Sequence, residues 1–223
     1  MKRAALLATA VSTFIGATPA YASFHLMQIE QVVAGVGGRV DRQAVQLRMR
    51  APVQNFISFS RIRAWDAAGS NPVVIVDFGA SVANGNLGDR VLLVSSAFAD
   101  AYGAGDVVMT SPIPPSYLAA GRLTFEDDFG TVYWSLSWGG SAYTGSNAGS
   151  LSNDNDGDFG PPFGSRLPAS TAEARAFTGP ASAVSTSNLA DYAITAGAAV
   201  FTTNSGVTRP LPSDVIFGDG FEG

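Results

Sequence analysis

Residues 122–140 read RLTFEDDFGTVYWSLSWGG. In the second half Val132, Trp134, Leu136 and Trp138 fall on alternate positions, and Thr131, Tyr133, Ser135 and Ser137 take the others. A period of two marks a β-strand with one buried and one solvated face. The first half alternates too, Leu123 and Phe125 against Arg122, Thr124 and Glu126. Asp127, Asp128, Phe129 and Gly130 lie between the halves and supply turn chemistry, with Gly130 free to take a positive φ. The stretch therefore reads as a β-hairpin whose aromatic arm faces a core.

Working outward, the same rhythm recurs. Residues 24–34 (FHLMQIEQVVA) predict a first strand and residues 42–50 a second, with Val45, Leu47 and Met49 opposite Gln46, Arg48 and Arg50. Residues 56–65 (FISFSRIRAW) predict a third strand with apolar residues on both parities, which calls for a bulge near residues 58–60. Residues 73–78 and 90–98 predict further strands, 107–110 a short one and 198–203 the last. Single helical turns are expected at 116–120 and 187–192, and the capping-box pattern Ser170-Thr171-Ala172-Glu173 predicts a short helix to Phe177. Residues 139–167 are rich in Gly, Ser, Asn, Asp and Pro and predict a long irregular loop, functional or mobile. Short strands with turns every ten or so residues indicate an all-β, mainly antiparallel sandwich or barrel, and a β-sandwich is the expectation.

Composition narrows the class of protein. Hydrophobic residues make up 46 % of the 223, and charged residues 14 %. The charged share is far below the usual quarter of a soluble protein. Met1-Lys2-Arg3, an apolar run over residues 4–15 and Ala20-Tyr21-Ala22 form the three parts of a secretory signal peptide cleaved after Ala22. The run is too short to span a bilayer. Residues 23–207 then make one sandwich domain, and 208–223 a Pro-rich linker with a C-terminal motif. Losing Lys2 and Arg3 from thirteen basic residues leaves eleven, all Arg, against eighteen acids, a formal charge of −7. Such a chain is a poor ligand for nucleic-acid backbones or anionic membranes. There is no cysteine, which excludes disulfides, thiolate-metal sites and thiol redox chemistry.

Two stretches resemble known families. Asp214-Val-Ile-Phe-Gly-Asp-Gly-Phe-Glu-Gly223, an IFxDGFE-type ending, resembles a terminal motif shared by many exported proteins of certain Gram-negative bacteria. It lacks the helix and basic end of C-terminal sorting signals. Residues 63–69, 84–94 and 128–133 resemble the strand–loop rhythm of lamin-tail-like, immunoglobulin-type sandwich domains. That resemblance implies a non-enzymatic module and carries over no site residues.

Candidate chemistry is sparse. His25 is the only histidine a Ser-His-Asp arrangement has available. Glu126, Asp127 and Asp128 are acids, but neighbours in one turn rather than a pair across a cleft. Ser152, Asp154, Asp156 and Gly157 occupy the first, third, fifth and sixth positions of an EF-hand-type register, with Asp158 beyond, so Ser152, Asp154, Asp156 and Asp158 are the candidate Ca²⁺ ligands. The twelfth position, Phe163, breaks that register. Trp65, Trp134, Trp138 and Tyr143 are candidates for sugar stacking, although the parity of Trp134 and Trp138 predicts burial. Arg48 and Arg50 share one strand face and Arg61 and Arg63 another, which would form an anion site if the two strands pair, or a solvated face with acidic cross-strand partners. The expectation is a secreted, non-catalytic module at the cell surface, outside the cell or in the periplasm. Its partners would be a glycan or surface protein, its candidate ion Ca²⁺, with no nucleic acid and no transmembrane span. The competing expectation is a carbohydrate-active protein working through carboxylates and tryptophans.

Overall fold

The computed structural model describes residues 24–180, 182 and 185–213. The expected leader and the C-terminal motif lie outside them. Among the described residues twelve strands form the fold: β1 (Met27–Val33), β2 (Ala44–Met49), β3 (Ser60–Trp65), β4 (Val73–Asp77), β5 (Arg90–Val94), β6 (Val107–Val108), β7 (Gly121–Asp127), β8 (Val132–Trp138), β9 (Arg175–Phe177), β10 (Tyr192–Ile194), β11 (Val200–Thr202) and β12 (Thr208–Pro210). A six-stranded sheet runs β10-β9-β1-β2-β5-β6 and a four-stranded sheet β4-β3-β7-β8; β11 and β12 form a separate hairpin. All pairings are antiparallel except β5 with β6.

The two sheets pack face to face as a β-sandwich. Met27, Ile29, Leu47, Met49 and Leu93 from one meet Ile62, Leu123, Phe125, Trp134, Leu136 and Trp138 from the other. The indole N–H of Trp134 donates to the Tyr192 hydroxyl at 2.8 Å, and that hydroxyl donates to the Ile29 carbonyl, so one polar thread crosses the dry core satisfied. A second cluster, Val33, Leu92, Val94, Phe98, Phe201 and Leu211, lies on the outer face of the six-stranded sheet. This explains the unbroken apolar run of β5: both of its faces are covered.

The β7–β8 hairpin forms as the alternation requires, with Phe125 opposite Trp134 and Leu123 opposite Leu136, and Gly130 turns at φ 89°. The expected wet face of β8 is not wet. Tyr133, Ser135 and Ser137 are buried as well. β8 is a sheet edge, and residues 139–167 run back along it. Ser150 N donates to Val132 O, Phe163 N to Ser137 O, and Gly139 N to Phe163 O. The long loop is thus an edge cover that keeps an aromatic strand from pairing with other chains. It sends Phe159 and Phe163 into the core, Phe159 edge-on to Trp134 at 5.3 Å.

Four other expectations are corrected. The run 90–98 stops as strand at Val94; Ser95 caps helix α1 (Ser96–Tyr102) by accepting from Phe98 N. Residues 170–177 form no helix, because the Thr171 hydroxyl accepts from Glu173 N two residues on, an ST-turn that leads into β9. Residues 208–210 are β12 rather than linker, and Leu211 beyond them is buried. The bulge on β3 lies between Ile62 and Arg63, against β4, and not near residues 58–60. The turn at Pro115–Tyr117 and the short helix α2 (Asn188–Asp191) fall where expected.

Leu136 is fully buried where the sheets meet. Leu136→Ala should lower unfolding stability by about 2–5 kcal/mol through the cavity it leaves, read by urea titration, whereas Phe129→Ala at the hairpin tip should change it by less than about 0.5 kcal/mol.

Candidate binding surface and its polar surroundings

The strand ends gather at two poles. β1 begins where β2 ends, with Arg50 N donating to Leu26 O. β5 begins beside them, Arg90 facing Arg48. β3 begins opposite the end of β7, Ser60 facing Asp127, and β4 ends there, Asp77 facing Arg61. The segments 50–59, 78–89 and 128–131 therefore share one pole. Backbone bonds lace them together: Val53 N to Gly85 O, Val82 N to Asn55 O and Asp128 N to Phe59 O.

This pole carries an unusual load of apolar side chains. Phe56 is 47 % exposed, Phe59 68 % and Phe129 96 %. Val53, Leu87 and Leu151 stand exposed on the same loops and on residues 150–158 beside them. Val53 also holds φ 62°, a left-handed conformation that strongly disfavours a β-branched residue. Phe56 and Phe59, expected inside the third strand, lie in the loop before β3 begins at Ser60. The available signals were a phenylalanine inside an Asp-Asp-Phe-Gly turn and one sharing parity with Arg61 and Arg63.

Beneath the Phe129 turn the outer face of the four-stranded sheet holds a charge cluster. Glu126 has no exposed side-chain surface. Its Oε1 accepts from Arg61 Nε at 2.6 Å and its Oε2 from Arg63 Nη2 at 2.8 Å. Bonding to Glu126 raises the Arg61 pKa above its ordinary value. Arg63 also lies 4.5 Å over the Trp65 ring, and Trp65 Nε1 donates to Thr124 Oγ1 at 2.9 Å. Arg122, mostly buried, donates from Nε to Ser135 Oγ and from Nη2 to Ala148 O, both at 2.7 Å. Arg48 sits elsewhere, in the six-stranded sheet, where it and Arg90 face Glu30. Since β2 and β3 do not pair, the four-arginine anion site does not form. Arg48, Arg61 and Arg63 meet cross-strand acids instead. Arg50 reaches back to Asn153, donating to its backbone and side-chain oxygens, and lies 5.1 Å over Trp134.

The remaining candidates are spread apart. His25 stacks on Tyr133 at 4.2 Å and meets Phe24 edge-on at 5.1 Å. Burial pulls its pKa below the ordinary value, partly opposed by Asp127. Burial would raise the Asp127 carboxyl, but the N–H groups of Thr131 and Phe129 and the Tyr133 hydroxyl hold it below the usual range. Burial, with Asp127 beside it, pushes the Tyr133 hydroxyl up to about 12. Asp128 is exposed. Trp134 and Trp138 have no exposed surface, as their parity predicts, and Tyr143 is buried too, so these three offer no ring for sugar stacking. Glu126 and Asp127 face no cleft: one is enclosed by arginines and the other closes a turn.

The Asx-rich loop bends where expected, Gly157 at φ 68°. Its carboxylates, however, serve the loop itself. Asp154 Oδ1 accepts from Asp156 N, Asp156 Oδ1 from Asp158 N and Asp158 Oδ1 from Gly160 N. Asp154 Oδ2 accepts from the N–H and the hydroxyl of Thr186, each at 2.8 Å. Ser152 lies against Ser150. Burial, then the neighbouring Asp156, raises the Asp154 pKa. Among the described residues no group of three His, Cys, Asp or Glu side chains is placed to hold a metal ion, and of the candidates Ser152, Asp154, Asp156 and Asp158 the three aspartates each spend an oxygen on a backbone N–H of this loop.

The class defined by these features is an all-β sandwich with a closed core and apolar loops at one pole. Among the described residues no helix is long and apolar enough to cross a membrane. Compared with known proteins, the chain matches no family model, no curated protein and no solved structure.

Two measurements check these assignments. Excess EDTA or Ca²⁺ should leave the melting temperature unchanged, and Asp154→Ala should cost about 1–3 kcal/mol equally in both, because it strands the buried Thr186 donors. His25 binds protons less readily folded than unfolded. Its contribution is therefore intact above the unfolded pKa, about 6.5, and is lost as pH falls through the lower folded value. Stability should decline over that window, and His25→Phe should flatten the decline in pH-dependent melting.

Proposed function

We propose that the protein is an exported, non-catalytic β-sandwich module that works by binding, at the cell surface or outside the cell. The observation that carries this reading is the collection of Phe56, Phe59 and Phe129, all highly exposed, on three laced segments of one pole. Large apolar side chains gathered and exposed on one pole of an otherwise well-packed domain mark a contact site. The groups that would serve catalysis are committed elsewhere: Glu126 to Arg61 and Arg63, Asp127 to its turn, and the indoles of Trp134 and Trp138 to the core. The carbohydrate-active reading needed two acids across a cleft and open tryptophans, so it gains no support. Export rests on the leader pattern of residues 1–22.

The test is retention. The chain, purified after export and labelled, should be held by intact Gram-negative cells. A Phe56→Ser/Phe59→Ser/Phe129→Ser variant with an unchanged melting temperature should be held on the order of tenfold less or weaker still. Equal retention of the two proteins would sink the proposal.

A further inference from the structure

We infer that a cavity at the pole opposite the phenylalanines binds a small organic carboxylate. The site is separate from Phe56, Phe59 and Phe129 and does not rest on the role proposed for them.

The cavity, of about 390 Å³, lies between the turn joining β1 to β2, the end of β10 and residues 165–173. β1 ends at this pole and β9 begins there, Val32 facing Arg175. The volume falls within the range of small-molecule sites, roughly 300–1,000 Å³. Its walls are tied by backbone bonds, Ala34 N to Pro168 O and Gly38 N to Ala169 O, so the cavity is formed before any ligand arrives.

Behind the wall sits a cation without a counter-charge. Arg48, Arg61, Arg63 and Arg90 each face a carboxylate. Arg175 does not. It is 8 % exposed and lies 4.0 Å over the Phe163 ring. Nη1 donates to Tyr192 O at 3.4 Å, Nη2 donates to Ser165 Oγ, and buried Nε has no partner. Burial lowers its pKa, and no acid opposes that. A guanidinium withdrawn from water without an opposite charge is costly, and an anion in the cavity would supply that charge.

The cavity wall carries the donors to hold one. Ser165 lines it, and with Oγ accepting from Arg175 its own O–H is left to donate. Arg166 lines it too, and among the described residues its exposed side chain bonds nothing. Donors backed by positive charge select an oxyanion. Glu173, the acid in the wall, accepts from the Thr171 hydroxyl at 3.2 Å and leaves two guanidiniums against one carboxylate. Val40, Leu167, Pro168 and Ile194 line the same space with apolar surface. Phosphate or sulfate alone would leave that surface unfilled. A carboxylate on an aliphatic or aromatic body uses both halves, its planar head matching the guanidinium fork of Arg166.

Calorimetric titration of the exported chain with benzoate and with hexanoate tests the inference. Both should bind and raise the melting temperature. Benzamide, of like shape without the charge, should bind at least on the order of tenfold more weakly. Arg166→Gln and Ser165→Ala should each weaken benzoate on the order of tenfold, the former without changing the melting temperature of the free protein. Arg175→Lys, which keeps the charge, should retain the benzoate that Arg175→Gln loses, and Arg209→Gln on β12 should change nothing. Failure of both carboxylates to bind, or equal binding by the Arg166→Gln chain, would overturn the site. Benzamide binding as tightly as benzoate would overturn its anionic character, and inorganic phosphate binding as tightly would overturn the organic carboxylate as its ligand. None of these results touches the phenylalanine pole, whose test is retention by cells.

Discussion

Glu126, with no exposed side-chain surface, is held between Arg61 and Arg63 of the adjacent strand. Taking a carboxylate out of water costs several kcal/mol, and only near-complete pairing offsets it. That requirement fixes β3 against β7. A slip by one residue would turn Arg61 and Arg63 into the core and Ile62 and Ala64 out to the arginine face. The polar face therefore specifies register as firmly as the apolar one. It also demands a lid, because buried Ser135 and Arg122 need partners that solvent does not supply. The loop over residues 139–167 provides it, accepting Arg122 at Ala148 O and pairing with the free edge of β8.

The apolar half of this arrangement is legible in the sequence because burial against a second sheet leaves a strict period of two. The polar half is not. Ser135 and Ser137 are small and uncharged and read as solvated until a covering segment is known. A quieter signal was present: no charge stands on that parity of β8, although exposed strand faces normally carry some. The boundary at Val94 was hidden for a similar reason, since an apolar strand runs straight into the apolar face of α1. At Thr171 the serine–threonine chemistry of a capping box and of an ST-turn is the same over three residues, and only the strand beyond decides between them.

The candidate sites show the same limit. Alternating aspartates with a glycine fit a calcium loop and a ladder of Asx-turns equally well in one dimension, because both use carboxylate oxygens spaced two residues apart. What separates them is whether the oxygens converge or each closes its own turn; here each closes a turn, and Asp154 also accepts from Thr186, 32 residues away. Likewise, the arginine pairs at 48 and 50 and at 61 and 63 meet only if their strands are neighbours. The chain crosses from one sheet to the other between them, a choice made by the ten residues 50–59 and not by either strand.

That crossing gives the molecule its polarity. Segments 50–59 and 78–89 both pass between sheets at the pole where the β7–β8 turn stands, so the sandwich core anchors every loop there at two rigid ends. Anchoring of this kind tolerates conformations a free loop would abandon. Val53 keeps its left-handed backbone while its N–H is bonded to Gly85 O, and Phe129 keeps its exposure on a turn closed by Asp127. Strain and exposed apolar surface both lower stability, and both are concentrated where the scaffold is best able to bear them. None of these side chains supports the core, so their place here is not set by packing. Gathered at one pole, with the tryptophans withdrawn to the interior, they set an exposed apolar surface apart from the rigid core that anchors it.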